Sequence, residues 1–564
     1  MVSGRKFCFN GVWHFLNPAG EEGEIWTKNM SETETSKKQA VDIVVYGATP
    51  GGIAAACRAA GSGAQVLLVE ASPFIGGHLT SGICTTECEH MLPITFGGWM
   101  MTFLRRIGKH YGIDAPLHRW EPKAALASYR ELLAEAGAEV LTGNPLEDVL
   151  VESGRIREIR LLGGRVLSGS VFIDASYEGD LMAGAGVPYA VGREPIRAHG
   201  ESYAGVRFID SLEEVQNSKG HALSFDRIWE IDLLDPEGGT IEGVTPADPD
   251  RLERGEGDGK VMNYHYRVTV TSAEDRIPFT RPPGYREERF ALLARFLHSH
   301  PETPLNQILG FLKHPSGRYA PGPDGFTVVT PGEKWELNNV QASVLSLGHL
   351  GGQFAYPDGT HEERKVILDD HYNHNAGLLY FLANSSDVPA ALRKEAGRLG
   401  LPPDEFTDNG HWPYQPYIRE TRRMKGAYVL TQHDVLDNRQ KPDTVLWNSH
   451  WIDSHHVERL ALDGSHFRNE GRIWHEVTEP YAIPYRSLVP EATVVTNLIV
   501  PGCVSSTHVA FCSVRLESSW MGLGEAAAVA AVQVLESGRA VQEVDIGRLQ
   551  ETLRSNGVNL PERI

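Results

Sequence analysis

Positions 41–46, "VDIVVY", are mostly apolar, as a strand buried on both faces requires, and the glycine-rich positions 47–52 then interrupt the run. Positions 53–60 are small residues that predict a helix able to lie close against a sheet, and "QVLLVE" predicts a second strand ending at Glu70. Further along, "SVFIDA" reads as a strand and "EGDLMAGAG" opens a helix with Asp180 in its first turn. Near the C-terminus, "TNLIVPG" predicts a strand, followed by a polar loop and a glycine-flanked small-residue helix. In the middle of the chain "VMNYHYRVTVT" alternates as a strand would, while "REERFALLARFLHSH" and "PAALRKEAGRLG" have helical character. No heptad pattern or solenoid repeat emerges.

The succession of strand, glycine turn and helix at positions 41–60 has a chemical meaning. A helix start leaves backbone N–H groups unpaired, and a pyrophosphate can accept from them at the positive end of the helix dipole. Gly47 and Gly52 occupy the ends of a G-x-G-x-x-G pattern, with Thr49 at its middle glycine and Pro50 and Gly51 shaping the turn. The Glu70 carboxylate at the end of the second strand is placed to accept from adenosine ribose hydroxyls. A glycine turn by itself also fits an unrelated α/β protein, so the rest of the chain has to decide.

After Glu70 comes "ASPFIGGHLTSG", where Gly76 and Gly77 permit close backbone approach and Thr80 and Ser81 add short polar donors. This combination resembles the FAD-dependent oxidoreductases with a glutathione-reductase-like or fumarate-reductase-like flavin domain, and the resemblance favours FAD over NAD. It implies that the segment after Glu70 passes the flavin, and that His78 is a candidate for covalent attachment to the flavin 8α carbon. Asp174, Ala175, Gly179 and Asp180 resemble the family's Asp-Ala-x-x-x-Gly-Asp element, which completes the FAD site; strand-end and helix-cap roles are the alternative for the two acids. "PGCVSSTHVAFCSVRLESSWMGLGEAAAV" resembles the last flavin-contacting element, and brings Gly502, Ser506, Thr507, His508, Arg515, Met521, Gly522 and Gly524 into the candidate site. Cys503 and Cys512 depart from the residues that many relatives carry there.

The resemblance covers about 41–190 and 480–540, with shorter echoes in the middle such as "YIRETRRMKGAYVLTQHDV" and "NSHWIDSHHVERL". The expected fold is therefore α/β: a Rossmann-like FAD-binding domain assembled from N- and C-terminal segments, with an inserted α+β substrate domain. The expected division is a peripheral extension at 1–40, the first part of the flavin domain at 41–190, a substrate or cap domain at 191–480, the C-terminal part of the flavin domain at 481–540, and a tail at 541–564. Met30, heading "MSETETSKKQA", is a candidate initiator.

Charge and cysteine content narrow the partners. With 73 acidic and 53 basic residues the formal net charge is -20, which repels phosphate backbones and anionic membrane surfaces, so no nucleic-acid partner is expected. No run of 18 apolar residues predicts a membrane span, "FCFNGVWHFL" makes a poor signal peptide, and the expected location is cytoplasmic. The six cysteines, Cys8, Cys57, Cys84, Cys88, Cys503 and Cys512, are too scattered for a disulfide scaffold. Cys84 and Cys88 lack a second close pair, the adjacent histidines of "SHHVE" lack H-E-x-x-H spacing, and no metal is expected.

Oxidation of an alcohol or amine by flavin needs a C–H bond directed at N5 and a base for the heteroatom proton. Among the histidines of the middle and last segments, His433, His450, His455, His456 and His508 suit that task, and His508 and His433 are the catalytic candidates. Arg515 is expected near the flavin, to hold negative charge or a carboxylate. Arg419, Arg422 and Arg423 can share a helical face, either solvated or clamping an anion. "GHLGG" at 348–352 lacks strand-turn-helix context, so no NAD(P)H domain is expected. The flavin would take hydride from a small polar substrate, hydroxylated or sugar-like among the candidates, and pass electrons to oxygen, a quinone or another acceptor. A non-redox isomerase or lyase, and a flavin-binding protein without catalysis, are the competing readings.

Overall fold

The computed structural model describes residues 38–88, 90–210, 226–246, 253–313, 320–321, 327–328, 334–437 and 441–560, so most of the expected N-terminal extension lies outside the described residues. The apolar run at its start becomes β1 (Lys38–Tyr46), whose last four residues are buried on both faces. Next come α1 (Pro50–Gly61), β2 (Val66–Val69), α2 (Gly98–His110), α3 (Pro122–Ala136) and β3 (Glu139–Leu141). β4 (Leu146–Glu152), β5 (Arg155–Leu161), β6 (Val166–Asp174) and the short α4 (Asp180–Gly184) complete the first part.

The strands order as β3-β2-β1-β6-β5-β4. β1, β2 and β3 are parallel, β1 also runs parallel to β6, and β4 and β5 form an antiparallel extension. The strand Leu498–Ile499 adds in parallel to β6, pairing Leu498 with Phe172 and Ile499 with Ile173. One sheet is thus assembled from both ends of the chain, in agreement with the expected α/β architecture.

The long helix Glu517–Ser537 returns to pack on α1. A Cβ added at Gly524 would lie 2.0 Å from the Gly51 carbonyl oxygen, so the two backbones approach through glycine and alanine rather than through large side chains. The expected tail at 541–564 contains a further helix, Ile546–Ser555, whose Leu549 and Leu553 are buried against the same core. It belongs to the packed body because its apolar side chains recur at helical spacing.

The inserted middle has a core of its own, built around Val268, Val270, Phe290, Leu293, Leu337 and Leu378. An antiparallel sheet there runs in the order Leu309–Lys313, Lys334–Asn339, Thr269–Thr271, beside the helices Ala291–Ser299 and His361–Asn384. The latter helix begins with a capping box between Thr360 and Glu363. Of the alternating stretch near 261–271, only Thr269–Thr271 is regular strand; Tyr264 and His265 make single bridges to His349 and Tyr417.

Two local expectations are corrected. The stretch holding Arg419, Arg422 and Arg423 is extended rather than helical, and all three side chains are buried. Pro413 and Pro416 precede it, and each disfavours helical backbone in its neighbour. His433 and Asp434, whose adjacency would set them on opposite faces of a strand, lie instead in the one-turn helix Gln432–Leu436, capped by Thr431. Among the described residues, no helix is long and apolar enough to cross a membrane.

Candidate active site

The nucleotide cradle begins at the end of β1. Gly47 has φ +98°, and a Cβ there would meet the Ser176 nitrogen at 2.5 Å, so the turn requires glycine. Thr49, at the middle position of the glycine pattern, is the N-cap of α1: its hydroxyl accepts from Gly52 N at 3.2 Å and donates to Ala175 O at 2.8 Å. Pro50 fills the first helical position. Thr49 thus replaces conformational freedom with a cap that ties α1 to the end of β6.

Glu70 sits just beyond β2, accepting from Ala48 N at 2.7 Å and Ser72 N at 2.9 Å. Burial pushes its carboxyl up to about 7 against these hydrogen bonds. Gly76 (φ +93°) donates to Ala48 O at 2.7 Å, and a Cβ on Gly77 would fall 2.1 Å from the Tyr177 hydroxyl. Thr80 donates to Ile75 O at 2.6 Å and Ser81 N to His78 O at 3.0 Å, so both hold the turn together. A capped helix start, glycines that leave no room for side chains, and an acid at the next strand end fit an FAD dinucleotide.

Several other expected cofactor residues have structural partners. Asp174 accepts from Ser176 N, the Ser176 hydroxyl and Met182 N, and so fixes the entry to α4. Asp180 faces Arg364, with contacts of 2.6 and 2.9 Å, and Arg422 at 2.7 Å, an ion-pair network that joins α4 to the inserted domain. Gly502 lies against Ser176 O and accepts at its carbonyl from Trp520 Nε1 at 3.0 Å. Met521, Gly522 and Gly524 lie within the body of the last long helix, where Met521 Sδ meets the Tyr129 hydroxyl, Gly522 clears Leu446 and Gly524 clears Gly51. The turn that begins this helix consists instead of Glu517, Ser518 and Ser519.

His78 leads into a second, deeply buried group. Its Nε2 accepts from Ile418 N at 3.0 Å, so Nδ1 carries the proton and donates to Glu517 Oε1 at 2.7 Å. The Tyr177 hydroxyl donates to the same oxygen at 2.6 Å, and the Tyr177 ring stacks on His78 with centroids 3.9 Å apart. Burial, then Arg419, Arg267 and Arg515, hold the His78 ring well below the usual imidazole range. Burial pushes Glu517 up to about 8. The contact is accordingly a hydrogen bond between neutral groups at neutral pH, and Glu517 Oε2 is buried without a partner. Both ring nitrogens of His78 are engaged, which argues against a flavin link through this residue.

Arg515 closes the helix His508–Val514 and donates to the Tyr417 hydroxyl at 3.1 Å and Asp453 O at 2.7 Å. The Tyr417 ring meets His78 edge-on with centroids 4.7 Å apart, so Arg515 adjoins the His78 and Glu517 group. The expected bases do not. His508 bonds Glu420 at 2.8 Å, and Glu420 pairs with Arg423. Burial opposes charge on this ring, but Glu420 and Cys512 outweigh it and push His508 up to about 10, so the imidazole keeps its proton at neutral pH. His433 is partly exposed, and its ring meets His199 O and Asp437. Glu517 is the residue that sequence reasoning missed; its signal was an acid between Arg515 and a glycine-bearing helix.

Burial raises the Cys84 and Cys503 thiols well above the usual range, which disfavours the reactive thiolate at these two positions. Among the described residues one acidic group has metal-like spacing, Glu121, Asp404 and Glu405. The Lys334 ammonium binds all three, at 2.6, 2.8 and 2.9 Å respectively.

Thiamine thiazole synthase from Aeropyrum pernix is 36% identical over 116 residues, which is 20% of this chain and 41% of that protein, so the chain spans about two-fifths of the length of the curated relative it matches. Among solved structures, a thiazole synthase relative from Thermovibrio ammonificans is 20% identical, covering 32% of this chain and 73% of that one, with a TM-score of 0.21. The L-proline dehydrogenase from P. horikoshii is 15% identical, covering 28% and 59%, with a TM-score of 0.23. The FAD dependent oxidoreductase family matches residues 42–553, nearly the whole of the described sheet, inserted domain and last helices. The chain belongs to the FAD dependent oxidoreductase family.

Proposed function

We propose that this FAD-dependent enzyme dehydrogenates a small polar metabolite bound between the flavin domain and the inserted domain. The observation that carries this reading is the buried Glu517, with one oxygen held by His78 and Tyr177 and the other without a partner. The turn from Gly47 to Gly52, Glu70 and the Gly76–Gly77 turn would hold FAD; when bound, it supplies an acceptor for a hydride.

Glu517 Oε2 would take the proton from the substrate heteroatom. A carboxyl pushed up to about 8 is close enough to neutrality both to accept and to release a proton. His78 and Tyr177 fix Oε1, so the reactive oxygen has one orientation. Arg515, anchored by Tyr417 and Asp453, would hold negative charge that develops as the proton leaves. His508 and His433 have supporting roles in this reading, the first as an ion-paired cation. Oxygen, a quinone or another carrier would complete the cycle.

The test is anaerobic addition of alcohols, hydroxy acids, sugars and amines to purified flavin-loaded protein, followed by air. Bleaching of the flavin band and its return with oxygen or a quinone supports dehydrogenation. Turnover with no lasting bleaching and no acceptor requirement would replace this reading with isomerisation or elimination.

A further inference from the structure

The inserted domain and the last element of the flavin domain bring Arg267, Arg419 and Arg515 around one tyrosine. The Tyr417 ring centroid lies 4.7 Å from the Arg419 guanidinium carbon, 5.7 Å from that of Arg267 and 5.8 Å from that of Arg515. Arg267 has its own counter-ions, Glu336 and, at 2.7 Å, Glu87. The other two are held differently. Arg419 donates to Asn263 O at 2.6 Å and His265 Nδ1 at 2.9 Å, and Arg515 to the Tyr417 hydroxyl and Asp453 O. No carboxylate bonds either guanidinium in these contacts.

Both arginines are almost wholly buried, at 0% and 2% exposure, and the Nε of each is buried without a partner. His455 Nδ1 and Asp453 Oδ1 are unpartnered in the same region. Burial disfavours a guanidinium that no carboxylate bonds, and a buried N–H donor with no acceptor adds to that cost. Burial, then the like charge of Arg515, hold Arg419 down to about 9, which is the electrostatic trace of the same imbalance. His78 lies within the field of all three arginines, so the imbalance faces the proposed reacting centre.

We infer that the substrate carries a carboxylate, received by Arg419 and Arg515, and that the enzyme acts on small hydroxy or amino acids rather than neutral polyols. This rests on the proposed dehydrogenase reading for the reaction but not for the binding. A carboxylate offers two acceptor oxygens to the two unpartnered Nε–H groups, and planar guanidinium suits that geometry better than ammonium. A neutral polyol would leave the two buried Nε–H groups without a charged acceptor.

The experiment titrates flavin-loaded full-length protein with malonate, glycolate, methyl glycolate and glycerol, reading heat of binding and the perturbation of the flavin absorbance band. Malonate or glycolate should bind at one site per chain, at least tenfold more tightly than the ester or glycerol. Arg419→Gln and Arg515→Gln should each weaken that binding tenfold or more while flavin content is kept. Should these variants fail to fold, Arg419→Lys and competition between malonate and glycolate on the unmodified protein carry the test. Carboxylates that bind no better than glycerol, or bind unchanged to both Gln variants, overturn the inference. Carboxylate binding without flavin bleaching by any candidate would sink the dehydrogenase reading alone; bleaching by neutral polyols that carboxylates do not inhibit would sink this inference alone.

Discussion

His78 donates from Nδ1 to Glu517 Oε1 across 2.7 Å, joining two residues 439 positions apart in the chain. The contact links the turn after β2 to the first turn of the last long helix, so the proposed reacting centre exists only once both ends of the chain have folded together. The pairing also sets which oxygen of Glu517 is available, and from that follow consequences for rate and pH.

Glu517 acts as a base only when ionised, and its carboxyl is pushed up to about 8. The rate of flavin bleaching under limiting substrate is expected to rise with pH up to about 8 and then level. Glu517→Gln should lower that rate by roughly 10²- to 10⁴-fold and remove the rising limb. Stopped-flow absorbance across pH 6 to 9.5 measures both; a Gln variant with an unchanged limb would move the proton transfer elsewhere.

His508 should act on stability rather than on that limb. Its folded value, pushed up to about 10, exceeds the ordinary imidazole value of 6.5. The stabilisation is therefore complete below about pH 6.5 and is lost as pH rises toward 10, by a few kcal/mol at most. Urea unfolding of the chain and of His508→Gln at pH 6.5 and 9.5 should show a pH dependence that shrinks in the variant, with the bleaching limb near pH 8 retained.

Gly524 tests how the two ends are held together. A Cβ at this position would press on the Gly51 carbonyl oxygen, which is backbone and cannot swing aside. Gly524→Ala should separate α1 from the last long helix, cost about 1–3 kcal/mol and speed loss of flavin during dialysis. A variant with the parent's melting temperature and flavin content would show that the helices can part without cost.

Covalent attachment through His78 is not expected, since Ile418 N and Glu517 already engage the two ring nitrogens. Acid precipitation should release all of the flavin into the supernatant, and a denaturing gel should show no fluorescent protein band. A fluorescent band that disappears in His78→Gln would reverse this assignment.

The strand–turn–helix at positions 41–60, the acid at Glu70 and the glycines at 76 and 77 were legible in the sequence because each is a local requirement. A buried parallel strand needs a continuous apolar run, and a helix start near a phosphate needs small residues. The family resemblance extended that reading to the C-terminal segment, and the sheet pairs Leu498–Ile499 with β6 accordingly. Charge and apolar-run length also bounded the partners without any structure.

The partners of the charged residues were decided only in three dimensions. Arg422 and Arg423 are neighbours in sequence, yet the first meets Asp180 and the second Glu420 and Glu194. His508 has the residue type of a base, but Glu420, 88 residues away, holds it as a cation at neutral pH. Glu517 carries no motif and becomes the strongest candidate because burial raises its carboxyl while His78 and Tyr177 leave one oxygen without a partner. Secondary structure follows from periodicity along the chain, whereas a protonation state depends on burial and on charges brought near by folding, and periodicity holds neither.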